Sequence, residues 1–120
     1  MKVYDLRYGE YESGSEVEER VDALTAKIKR YPPEKLQRAL NLAASHLAKH
    51  VADSPEDYEP SMVNAYCYVM CICLKGILND PVYFDRAERL KPEMNMAVAK
   101  EILEDIILVL GPPPEDDPPK

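Results

Sequence analysis

From Met62 to Leu74 only Asn64 interrupts a run of apolar, aromatic and cysteine side chains. A segment with no polar face cannot lie half in water, so this run has to be covered on every side, and the rest of the chain must supply the cover. Flanked by Pro60 and by Leu78-Asn79, it reads as one helix from about Pro60 to Leu78 and as the central, buried element of the fold. A membrane span needs roughly 20 such residues. Lys75, Gly76 and Asn79 cut the run short of that, and the expectation is no membrane. Tyr66 to Ile72 is also rich in strand formers, so a buried strand is the structural alternative.

The neighbouring segments have the pattern of cover. Ser15 followed by Glu18 is a capping box, with Glu16 and Glu19 placed where the helix dipole is positive. Behind it Val17, Val21, Leu24, Ile28 and Tyr31 step by four, three, four and three, a narrow seam ended by Pro32 and Pro33. A second helix starts at Pro33 and runs to about Asp53, with Leu36, Leu40, Ala43, Leu47 and Val51 as its stripe. Ser54 to Asp57 predicts a single turn before Pro60. Asp80 and Pro81 cap a short helix that turns Phe84, Ala87 and Leu90 inward. The last helix is expected from about Glu93 to Leu110, its inward positions including Ile102, Ile106, Val109 and Leu110, and Gly111-Pro112 stops it. The fold class is therefore all-α, a four- to five-helix bundle spanning residues 15–111 around an apolar central helix. Residues 1–14 read as an extended arm, because Tyr4, Leu6 and Tyr8 alternate with Val3, Asp5 and Arg7. Residues 112–120, proline-rich and acidic, read as a disordered tail.

Charge narrows the function classes. The chain has a net charge of -7, which repels a long polyanion and argues against nucleic-acid binding. Three cysteines, all in the apolar run, and no charged-then-apolar leader at the start fit a reducing cytoplasm. Few glutamines and threonines beside many charged residues hint at a hot growth temperature. No Gly-rich phosphate loop or nucleophile elbow is present, and no cofactor is expected.

Four groups of residues have spacing that chemistry could use. His46, His50 and Asp53 share one edge of the second helix and could ligate a divalent metal. Leu47, however, stands where a zinc hydrolase motif has its base, and two boundary histidines are the better account. Glu16 and Glu19 on the first helix, with Glu101, Glu104 and Asp105 on the last, could hold magnesium if the two helices met, though solvated helix faces explain them as well. Lys27, Lys29, Arg30, Lys35 and Arg38 surround the Pro32-Pro33 corner and could grip one anion. Tyr4, Tyr8, Tyr11, Tyr66, Tyr68 and Tyr83 suit contact surfaces, their hydroxyls reaching water or a partner. Cys67 and Cys71, one turn apart with no Cys-x-x-Cys, read as inert thiols.

The leading expectation is a non-enzymatic interaction or regulatory module whose partner is protein, first of all itself, because four short amphipathic helices are poorly matched to a fully apolar fifth. The alternative is a metal-dependent all-α hydrolase acting on a nucleotide or other phosphate.

Overall fold

The computed structural model describes residues 14–53 and 59–113. Five α-helices and one 3-10 turn account for nearly all of these, with no strand among the described residues: α1 Gly14–Ile28, α2 Pro33–Asp53, α3 Pro60–Leu78, α4 Pro81–Leu90, the turn Lys91–Glu93, and α5 Met96–Leu110. The chain is an all-α bundle, and the Tyr66 to Ile72 segment is helix, as the apolar run predicts. The arm, its Tyr4, Tyr8 and Tyr11, the turn expected at Ser54 to Asp57, and residues 114–120 of the tail lie outside the described residues.

The helix boundaries follow local chemistry. α1 begins at Gly14, so Ser15, expected as its N-cap, lies inside the first turn of the helix. Pro33 and Pro60 sit in first turns, where a missing N–H leaves nothing unpaired. Asn79 ends α3 in the left-handed region (φ 56°), a conformation asparagine tolerates better than most residues. Asp80 then caps α4 by accepting the Val82 N–H at 3.1 Å. One expected boundary is corrected: α5 starts at Met96, not near Glu93. Pro92 falls in the 3-10 turn, and Asn95 is the cap, its Oδ1 accepting the N–H groups of Ala97 and Val98 at 3.0 and 3.2 Å.

The chain folds as three helices over two. In the upper layer α3 lies between α2 and α4, which flank it on opposite sides. Beneath it α1 pairs with α5. Gly76 of α3 lies against Leu36 of α2, while Tyr66 of α3 borders His50, so α2 and α3 are antiparallel. The α5 entry is tied to the start of α3, where the Asn95 N–H donates to the Ser61 carbonyl at 2.9 Å. Arg20 meets Glu104, and the Tyr31 hydroxyl donates to the Gly111 carbonyl, so α1 and α5 run the same way. The absence of a side chain at Gly76 allows the α2 contact, because a Cβ there would stand 2.3 Å from Leu36 Cδ1.

The core forms between the layers. The whole predicted seam of α1, from Val17 to Tyr31, is buried. α2 contributes Leu36, Ala39 and Ala43, while Leu40, Leu47 and Val51 of its stripe are only half-buried. α3 contributes Ala65, Tyr68, Val69, Ile72 and Cys73. Val109, expected to face inward on α5, is 54% exposed, and Leu108 is 81% exposed. Val109 instead borders a small crevice with Leu42 and Ala43 of α2, and Leu110 is the residue turned to the core there.

Thr25 is buried, and its Oγ1 is 3.0 Å from the Tyr68 hydroxyl, pinning α1 to α3. Tyr68 is 1% exposed, which corrects the expectation that its hydroxyl reaches water or a partner. The pair satisfies two groups that would each be costly to bury alone. Tyr68→Phe should therefore lower unfolding stability by about 1–3 kcal/mol by stranding the Thr25 hydroxyl. Adding Thr25→Val should recover most of the loss. Urea midpoints of the two single variants and the double variant test this, and additive losses would mean that the pair is not coupled.

Candidate functional site

The three-over-two arrangement covers α3 from both flanks and from below, and leaves its fourth side open. At about 100° per residue, the buried Ala65, Tyr68, Val69, Ile72 and Cys73 share one arc. The opposite arc consists of Val63, Cys67, Met70, Cys71, Leu74 and Leu78, without a polar side chain. The first five are half-buried and Leu78 is 55% exposed. Met70 and Cys71 still pack on the core, whereas Val63, Cys67, Leu74 and Leu78 form a line outside it. Val82, at the start of α4, is 48% exposed. Contact with every other helix, as a central element requires, is present. Full enclosure is not, and this corrects the expectation of a rod wrapped on all sides. α3 is also long and apolar enough to cross a membrane by length and composition, with 33% of its most apolar window buried.

An unpolar outer arc sets α3 apart from its neighbours. α1 shows solvent Glu16, Glu18, Glu19, Asp22 and Lys27; α2 shows Glu34, Gln37, Arg38, Asn41 and Lys49. Those helices carry the ordinary amphipathic pattern. A continuous apolar strip at the surface is instead the mark of a contact region.

The chemistry-bearing residues gather less than their spacing allows. His46, Lys49, His50, Asp53 and Tyr66 line one open depression at the end of α2. His50 Nε2 is buried there without a hydrogen-bond partner among the described residues. His46 also borders a small crevice between α2 and α5, about 30 Å³, that includes Asp105. Glu16 and Glu19 do meet the α5 face, in a shallow hollow with Arg20, Ala23 and Lys100. There Glu104 accepts from Lys100 at 3.1 Å and pairs with Arg20 at 3.5 Å. Glu101 and Asp105 stand on the same helix, Glu101 half-buried and Asp105 exposed. Among the described residues, no three His, Cys, Asp or Glu side chains form a group that could hold a metal ion. Glu104 thus stands at the α1–α5 interface together with the two cations that neutralise it.

The basic corner is similarly dispersed. Lys29 extends over the Phe84 ring, 3.9 Å from its centroid, and burial followed by the nearby Lys75 charge lowers its pKa. Lys35 donates to the Leu110 carbonyl at 3.3 Å, capping the end of α5. Lys27 and Arg38 are exposed. Of the described contact tyrosines, Tyr66 and Tyr83 are half-buried, and Arg86 lies over the Tyr83 ring at 5.9 Å. Tyr31, absent from the expected contact set, is the tyrosine that joins α1 to the end of α5.

Compared with known proteins, the chain matches no protein-family model, no curated protein and no solved structure. The reading of the open face therefore rests on its own residues.

Burial holds several thiols and phenols in their neutral forms. It pushes up the pKa values of Cys67 and Cys71, and that of Cys73 to about 12. Tyr31 and Tyr68 are raised for the same reason, and Lys91 is raised by its hydrogen bond to Asp22. A group whose folded pKa exceeds its unfolded value loses its proton first in the unfolded chain, so unfolding is favoured as pH rises past the unfolded value. Lys29 works in the opposite direction, as a single group. Folding stability should therefore hold through neutrality and fall steadily above about pH 8.5, where unfolded thiols begin to ionise. Denaturation at a series of pH values under reducing conditions checks the slope, and a stability rising between pH 9 and 11 would contradict it.

Proposed function

We propose that this protein is a non-enzymatic helical-bundle module that works by protein contact, and that the first partner of its open α3 face is a second copy of the same chain. The observation that carries this reading is the outer arc of α3: Val63, Cys67, Leu74 and Leu78 are at least partly exposed in a line with no charge among them. A charged partner finds nothing to pair with on such a strip, whereas an identical strip matches it in polarity along its whole length. Closed two-fold pairing covers both copies at once and leaves no residual patch to propagate. The flanking helices keep the contact finite, since polar α2 residues such as Asn41 and Lys49 are exposed outside it.

A metal-dependent reading on α1 and α5 has less behind it, since Glu104 is already neutralised by Arg20 and Lys100. Glu104 would have to give up these cations before binding one.

Sedimentation velocity at tens of micromolar should show a dimer for the natural sequence. Leu74→Glu should sediment as a monomer with unchanged far-ultraviolet circular dichroism, because the side chain lies outside the core while a carboxylate at the contact would be buried unpaired. A clean monomer of the natural sequence removes the proposal. So does flotation of the natural monomer with phosphatidylcholine vesicles that Leu74→Glu abolishes, since the face would then belong to lipid.

A further inference from the structure

The open arc of α3 reads nearly the same in both directions. Val63, Cys67 and Met70 precede a midpoint between residues 70 and 71, and Cys71, Leu74 and Leu78 follow it at mirror-image spacings. Resting on the self-association proposed above, the geometry points to an antiparallel, two-fold pairing of α3 with α3 of a second copy, centred between Met70 and Cys71.

Side-chain size favours this register. It sets Cys67 opposite Leu74 of the second copy and Val63 opposite Leu78, so that a smaller residue meets a larger one in each of these pairs, and it brings the two copies of Cys71 side by side on one edge of the arc. Alternation of that kind lets two surfaces interdigitate at interior density. A parallel pairing would instead set Leu74 against Leu74 and Cys67 against Cys67, tight at one level and hollow at the next. Antiparallel helices also place each positive helix end beside the other copy's negative end, where parallel ones align like ends.

The dimensions are adequate. α3 has 19 residues, a length of about 28 Å at 1.5 Å per residue. At that length the arc spans about five helical turns, enough for a helix-to-helix contact along its whole extent.

Two cysteines on the arc make the register measurable. In the antiparallel register the two copies of Cys71 are offset by only about 1.5 Å along the helix axis, whereas the two copies of Cys67 are offset by roughly 10 Å. Cys73 is fully buried, and its thiol, pushed up to about 12, stays protonated and unreactive at neutral pH. The test is treatment of folded Cys67→Ser and Cys71→Ser proteins with a short bifunctional thiol reagent, alongside sedimentation of each. Cys67→Ala and Cys71→Ala serve in place of a serine variant that loses its helical signal.

Expected is a covalent dimer from the variant that keeps Cys71 and almost none from the variant that keeps Cys67. Equal crosslinking of both variants would mean a parallel pair and would overturn the register. Sedimentation as a dimer with no crosslink in either variant would move the contact to another face, overturning the register but sparing self-association. Monomers throughout would end the self-association reading itself.

Discussion

Every other helix in this protein takes its place from one strip of α3. Ala65, Tyr68, Val69, Ile72 and Cys73 face the interior, and α1, α2, α4 and α5 all touch the helix that carries them. A helix is about 10 Å across with its side chains, and it can be flanked on two sides and backed on a third without crowding its neighbours. Closing the fourth side would take another long helix. α4 has 10 residues against 19 in α3, and it is already used as a flank. The open arc is thus a consequence of chain length and of which helices are long, not of a local defect in packing.

Exposure and composition work in opposite directions on that arc. Most surface helices resolve the conflict by turning polar residues outward, as α1 and α2 do here. α3 does not, although a few substitutions at Val63, Cys67, Leu74 and Leu78 would have done so without touching the core. On the proposed reading, contact with a second copy, and not solvation of the single chain, accounts for the composition of the arc. The end of α5 shows the same tension on a smaller scale, with Leu108 and Val109 exposed beside Gly111. There the apolar surface is two residues wide and lies at the end of a helix, so it does not form a stripe along one.

Much of the architecture was legible in the residues themselves. The 4-3-4-3 seam of α1, the prolines that start α2 and α3, and the Asp80-Pro81 start of α4 each reflect a short-range preference, and each helix begins within a residue or so of the position it marks. The start of α5 was harder to read, because Pro92 is a strong helix-start signal and Asn95 a subtler one; the cap prevailed only because its Oδ1 reaches two free N–H groups. Tertiary facts were less accessible. Nothing in the spacing of Tyr68 tells that Thr25 comes from another helix to satisfy its hydroxyl. Nor does the position of Lys29 reveal that its ammonium turns to Phe84, away from the other cations of its corner. The open side of α3 could be read only in part: the run says that cover is needed on all sides, but the number of helices able to provide it emerges when they are counted in space.

The cysteines link the core of α3 to its surface. A thiol that ionised at neutral pH would put a charge in the middle of an apolar strip, and Cys67 and Cys71 avoid this because partial burial favours their protonated form. Arg86, near enough to pull the Cys71 pKa back down, is outweighed by that burial. Covering the arc would remove more water from both thiols and favour their neutral forms further, since desolvation acts against the charged state. Contact and neutrality would thus reinforce each other, each making the strip a better apolar surface. A serine would have nearly the same volume but would bring a hydroxyl that needs a hydrogen-bond partner, and an alanine would lose the polarisable sulfur that fills the gap.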